Sequence, residues 1–173
     1  MASEAPEVIV TELQPPQMVE VDAVPPLDSL AAFKEGIDAL PDSLTINKGH
    51  IIFGDFNADA KEDLSALVTN QNNSKVGVII IHASDKPDYL VFGGGLLVNG
   101  MDDLGWIDVF RSIPKGQTVA ATLVDPQTGD IIGEDEENAE TLEGNGIYMH
   151  VNEAGGGGIL YWDGSKYNWL HIE

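Results

Sequence analysis

Two apolar runs, residues 50–53 and 64–68, enclose the stretch Gly54-Asp55-Phe56-Asn57-Ala58-Asp59-Ala60-Lys61-Glu62-Asp63, and its residue types point to one chemistry. A calcium ion takes six to eight oxygens at roughly 2.3–2.6 Å, so a short loop that binds it must aim oxygens inward at alternate positions. Counting Asp55 as the first position, side-chain oxygens recur at the third (Asn57), fifth (Asp59) and ninth (Asp63), while Lys61 at the seventh offers only its backbone carbonyl. Carboxylates gathered in this way repel one another unless they share a cation. The plain alternative is a solvated turn, because Asp and Asn favour turns without any metal. An EF-hand is excluded: the glycine it needs at the sixth position is Ala60, and the glutamate it needs at the twelfth is Ala66. Ala60 is the departure that matters for affinity, since a left-handed backbone there costs a residue with a Cβ on the order of 1–2 kcal/mol.

What remains is D-x-N-x-D-x-x-x-D between two strands, and it resembles the calcium loops of integrin-type FG-GAP repeats. The resemblance spans about twenty residues and implies no particular partner.

Strands must hold such a loop on both sides. Residues 43–53 read as the strand entering it and 64–69 as the strand leaving it; a polar turn over 70–75, a buried strand over 76–82, a turn over 84–87 and a strand over 89–92 complete an antiparallel meander. Before the meander, Leu30, Phe33, Ile37 and Leu40 recur three and four apart, with Asp28 placed to cap and Pro41 to stop, which predicts one amphipathic helix over 27–40 packed on the sheet. Residues 1–26 carry five prolines among Glu, Ala and Val and read as an acidic linker or tether to a single β-rich domain over 27–173.

After the meander, Gly93-Gly94-Gly95 lacks the lysine and spacing of a phosphate loop and reads as a bend. An apolar element over 104–110, a turn at 114–116 and a strand over 118–124 follow. Asp125 to Asp130 supplies another turn, and residues 134–143, with six acidic side chains in ten, read as solvated surface. Strands are expected over 146–151, 159–162 and 167–171, the last two joined at Asp163-Gly164. The predicted class is α+β, mostly antiparallel β, built as a twisted sheet or a sandwich-like meander with one N-terminal helix.

Composition bounds the function. Twenty-nine acidic residues against eight basic ones give a formal charge of -21, which repels nucleic acid and anionic membranes; the field would draw in cations or a basic protein, and a solubility role or a salty habitat explains it equally well. There is no cysteine, so disulfides, thiol catalysis and zinc-cysteine sites are excluded. No apolar run reaches the roughly 18 residues of a membrane span. The N-terminus lacks a signal peptide, which leaves a cytoplasmic protein or a chain whose leader has been removed. His50, His82, His150 and His171 are scattered and belong to no catalytic motif, so the chain is expected not to be an enzyme. Trp162, Tyr167 and Trp169, with Tyr148 and Tyr161, are either packing residues of adjacent strands or a platform for a sugar or peptide, with Tyr161, Tyr167 and Trp169 expected on one face and Trp162 on the other.

Taken with the loop, Trp106-Ile107-Asp108, Gly129-Asp130-Ile131 and the run from Ile159-Leu160-Tyr161-Trp162 to Lys166-Tyr167-Asn168-Trp169 resemble a family of uncharacterised exported proteins and lipoproteins of Bacteroidetes-type bacteria. The resemblance implies export to the periplasm, cell envelope or medium, and no known activity. The leading expectation is a noncatalytic calcium-binding envelope protein that binds a macromolecule or glycan. The alternative is an acidic inhibitor or immunity protein that blocks a cationic enzyme. A metal-assisted hydrolase ranks last, because no second cluster is present to activate water.

Overall fold

The computed structural model describes residues 27–84, 88–152 and 155–173, so the expected linker over 1–26 and most of the turn over 84–87 lie outside the described residues. Short apolar runs separated by polar turns build two antiparallel sheets. The first joins β1 (Leu44–Gly54), β2 (Asp63–Asn70), β3 (Lys75–His82) and β4 (Asp88–Gly93) in sequence order, which is the meander expected from the turn signals. Two small ribbons lie along the chain between the halves of the second sheet: β6 (Thr118–Val119) pairs with β9 (Glu140–Thr141), and β7 (Thr122–Val124) with β8 (Ile131–Glu134). The second sheet has the order β12-β11-β10-β5, from β5 (Val109–Ile113), β10 (Gly146–His150), β11 (Gly157–Trp162) and β12 (Tyr167–Ile172).

Successive strand residues point to opposite faces, so each sheet buries two sets of side chains. Leu67, Val78 and Ile80 of the first sheet meet Ile147, Met149 and Leu160 of the second, with Leu104, Ile107 and the loop residue Phe56 filling the same core. The complementary set, Leu64, Ala66, Val68, Ile79 and Ile81, is covered by Phe33 with Leu30, Ile37 and Leu40 around it. Val119 and Leu142 cover Ile113, Ile159 and Leu170 on the outer face of the second sheet.

The helix expected over 27–40 is divided into α1 (Leu27–Ala31) and α2 (Lys34–Asp38). Phe33 leaves the helical path (φ −101°, ψ 9°) and packs beside Phe53, ring centroids 5.8 Å apart. Helices this short gain little from propensity and depend on packing. Gly36 provides it: a Cβ there would lie 2.5 Å from Ile81 Cγ2, so only glycine lets the helix approach the sheet.

Three further boundaries differ from the sequence reading. The strand expected over 118–124 is interrupted between β6 and β7, where the chain changes partner from β9 to β8. The apolar stretch over 104–110 runs as a connection, anchored by buried Leu104 and Ile107, before β5 begins at Val109. The terminal hairpin pairs Trp162 with Tyr167, so its loop has four residues rather than the two of Asp163-Gly164. Asp163 closes that loop by accepting from the N–H groups of Ser165 (2.8 Å) and Lys166 (2.9 Å), a side-chain turn that the dipeptide signal does not reveal.

Candidate metal centre

The expected loop is the β1–β2 connection, and Phe56 explains how it is anchored. Its ring is fully buried in the core between the sheets, worth about 1.5–3 kcal/mol for a side chain of that size. Around this anchor, side chains bond back onto the loop's own backbone. Asp55 Oδ2 accepts from the N–H of Ala60 (3.1 Å), Asn57 Oδ1 from that of Asp59 (3.2 Å), and Asp59 Oδ1 from that of Lys61 (2.9 Å). Ala58 and Ala60 both take positive φ, 61° and 65°, a conformation that costs a non-glycine residue about 1–2 kcal/mol.

Asp63 opens β2 and is completely buried. Its Oδ2 accepts from the N–H of Phe56 (3.0 Å) and its Oδ1 from that of Ala83 (2.9 Å), so one carboxylate ties both ends of the hairpin to the end of β3. Burial raises its pKa above the ordinary 3.8, against the opposing pull of those two N–H groups and nearby His82. Neighbouring Asp59 raises it further. A carboxylate held ionised here is therefore short of positive charge.

Asp55 is short of a partner as well. Its Oδ1 is buried without a hydrogen bond, while Oδ2 has the Lys115 ammonium at 3.6 Å. Buried polar atoms are almost always paired, so an orphaned carboxylate oxygen calls for an ion or water. The donor set also fits a hard cation, being carboxylate, amide and carbonyl oxygen throughout. Among the described residues, however, no three His, Cys, Asp or Glu side chains stand together as a ready-made metal cage. The loop supplies one free buried oxygen, two side chains held in turns, the Lys61 peptide, and a ninth-position carboxylate already accepting two hydrogen bonds.

The second sheet grips the same loop. The Asp55 N–H donates to Asn145 Oδ1 (3.1 Å), the Asn145 N–H donates to the Asp55 carbonyl (2.6 Å), and Asn145 Nδ2 donates to Ser112 Oγ (3.1 Å). Gly144 makes room for this contact, since a Cβ there would lie 2.5 Å from the Asp55 carbonyl oxygen. Asn145 and Lys115 are the site residues that sequence reasoning missed. The only local signal was the glycine on either side of Asn145, and the bond it makes spans 90 residues.

The aromatic residues divide between two places. Because Trp162 pairs with Tyr167 and Leu160 with Trp169, Trp162 shares the inner face with Tyr167 and Trp169, and Tyr161 lies on the other, opposite to the arrangement expected from the sequence. Tyr167 bonds through its hydroxyl to His82 Nε2 (2.9 Å) and is flanked edge-on by Trp162 and Phe92. Burial raises its pKa, and Asp63, Asp55, Asp59 and Asp88 raise it further, so the phenol stays protonated beside the loop. Trp169 stands edge-on to Trp106 and lies against Gly158, and both indoles line a cleft of about 370 Å³ with Met101, Val151 and His171. The three aromatic residues thus form a strip along one strand pair, with only Trp169 at the cleft.

No helix among the described residues is long and apolar enough to cross a membrane. No family model matches the chain, and comparison with curated proteins and with solved structures gives no significant match.

Proposed function

We propose that the chain is a noncatalytic, calcium-binding module of the cell envelope that holds another macromolecule or a glycan, its calcium pinning the β1–β2 loop. The observation that carries this reading is the buried, unpartnered Oδ1 of Asp55 within a ladder of side-chain turns. Side chains of Asp55, Asn57, Asp59 and Asp63 and the carbonyl of Lys61 would hold the ion. Calcium would neutralise the desolvated Asp63 and replace the Lys115 ammonium as the counter-charge of Asp55. The positive φ of Ala58 and Ala60 is a cost that glycine at those positions would avoid. For a glycan, the cleft lined by Trp106 and Trp169 would offer apolar indole surface to a sugar ring.

Calorimetric titration of the wild type beside Asp55→Ala/Asp59→Ala tests the metal reading. Saturable binding by the wild type alone, with a Tm that rises with calcium, is expected. Equal heats from both proteins would leave the loop as an acidic turn.

A second reading, an acidic inhibitor that blocks a cationic enzyme, is favoured by the absence of any Lys or Arg between Lys115 and Lys166. Unchanged turnover of a panel of cationic hydrolases at low salt would exclude it.

A further inference from the structure

The β7–β8 ribbon gathers four of the exposed large apolar side chains among the described residues. Ile131 is 62% exposed, Ile132 64%, Leu123 40% and Val124 36%. A strand that covered a core would bury alternate residues, yet β8 is exposed along its whole length. Each strand pairs only with the other among the described residues, and a two-stranded ribbon is marginal without a face to pack on. The pairing is also irregular: Leu123 faces Gly133 but Val124 faces Ile131, which leaves Ile132 as the extra residue of a bulge. Bulges re-aim side chains, and this one lets two consecutive isoleucines stand in solvent.

Charge selects what could cover them. Asp125, Asp130, Glu134, Asp135, Glu136 and Glu137 surround the ribbon, and no Lys or Arg occurs between Lys115 and Lys166. Asp125 and Asp135 are partly engaged in holding turns, Asp125 Oδ1 accepting from the N–H of Gln127 and Asp135 Oδ1 from that of Asn138. Asp130, Glu134, Glu136 and Glu137 are exposed beside the isoleucines. An apolar centre inside a polar rim has the layout of a protein interface, and a rim of one sign repels a second copy of a chain whose charge is -21.

We propose that the β7–β8 ribbon is the docking surface for a cationic polypeptide that presents apolar side chains between its basic ones. Its isoleucines fill the partner's apolar surface, while the acidic rim speeds encounter and fixes the sign of the partner. The two strands hold three and four residues, against the roughly 20–30 residues a side of a standard interface, so charge must supply much of the attraction and salt must weaken it. The proposal rests on the noncatalytic binding reading above but not on the calcium site.

The test uses the full chain with short synthetic peptides of alternating Lys and Val, Lys and Ser, or Glu and Val, followed by fluorescence anisotropy at low salt and at about 0.15 M ionic strength. The Lys–Val peptide is expected to bind about tenfold more tightly than Lys–Ser, to weaken with salt, and to lose about tenfold against Ile131→Ser/Ile132→Ser. Leu96→Ser/Leu97→Ser removes an equally exposed apolar pair from another loop and is expected to change nothing. Equal affinity for Lys–Val and Lys–Ser, or no loss in the isoleucine variant, overturns the proposal. So does concentration-dependent self-association that the isoleucine variant abolishes, which would make a second copy the occupant. Binding that appears only after deletion of residues 1–26 overturns it too, by making that segment the occupant.

Calcium titration of the isoleucine variant separates this surface from the metal site. Wild-type calcium affinity with lost peptide binding supports the ribbon. Should the variant fail to fold, Glu136→Lys/Glu137→Lys replaces it: weaker Lys–Val binding supports the proposal, and unchanged binding overturns it.

Discussion

Two Asp-led turns of this chain use the same local chemistry in opposite surroundings. The 55–63 loop and the 163–166 turn both begin with an aspartate whose carboxylate accepts backbone N–H groups further along. In the terminal turn the carboxylate of Asp163 is in solvent, fully supplied by Lys166 N–H, by the hydroxyl and N–H of Ser165, and by the Asn168 amide, and its pKa falls well below 3.8. In the loop, burial leaves Asp55 Oδ1 without a partner and pushes the pKa of Asp63 up. The residue types make the turn in both cases. Desolvation makes one of them a candidate for a cation, because only a buried carboxylate lacks water as an alternative partner.

The comparison breaks most readily at Asp63. Asp63→Ala strands two N–H groups, those of Phe56 and Ala83, and is expected to lower stability by about 3 kcal/mol in urea unfolding, reduced somewhat by relief of a buried charge. Asp163→Ala exposes its donors to water and is expected to leave the urea midpoint almost unmoved. Similar losses for the two variants would mean that burial does not distinguish the turns.

Calcium gives the next effect. At a free concentration about ten times its Kd, it is expected to add about 1.4 kcal/mol to the wild type, lost in chelator, and nothing to Asp55→Ala/Asp59→Ala. Differential scanning calorimetry reads both, and a calcium response in the double variant would move the site elsewhere.

Ala60→Gly sharpens the same contrast. Removing the Cβ at φ 65° is expected to stabilise the folded chain by up to about 1 kcal/mol and to tighten calcium binding several-fold. An unchanged affinity would show that the loop keeps its strain whether or not the ion is bound.

The smallest effect is the titration itself, followed through carboxyl carbon shifts by NMR. Asp63 has a folded pKa raised above 3.8, so the metal-free fold binds its proton more tightly than the unfolded chain does. Its contribution to stability therefore falls as pH rises from about 3.8 through the raised folded value. Asp163 has a depressed folded pKa, so its contribution is present above 3.8 and is lost as pH falls through the folded value. Midpoints on opposite sides of 3.8 are expected, and coincident midpoints would remove the electrostatic distinction between the two turns.

The strand signals of the first half were legible because they are local. Strict apolar runs separated by Asn, Asp and Gly turns placed β1 to β4 within a residue or two and set the loop between the first two. The apolar stripe over 27–40 predicts one continuous helix because it records the burial of Phe33 and the partial burial of Ile37 and is silent on the path between them. The aromatic faces differ from the sequence expectation for a related reason: a four-residue hairpin loop fixes register differently from a two-residue one, and register decides which side chains share a side.

The alternating oxygen-bearing residues Asp55, Asn57, Asp59 and Asp63, the acidic charge of the chain and the antiparallel meander are legible in the sequence, because each depends on residue type and short-range spacing. Only the tertiary structure decided that Asp55 Oδ1 lies buried without a partner, that Asn145 reaches across 90 residues to hold the loop, and that Ile131 and Ile132 stand in solvent. Burial and long-range pairing are properties of the packed chain, and no local pattern of residues encodes which face of a strand or which oxygen of a carboxylate will meet water.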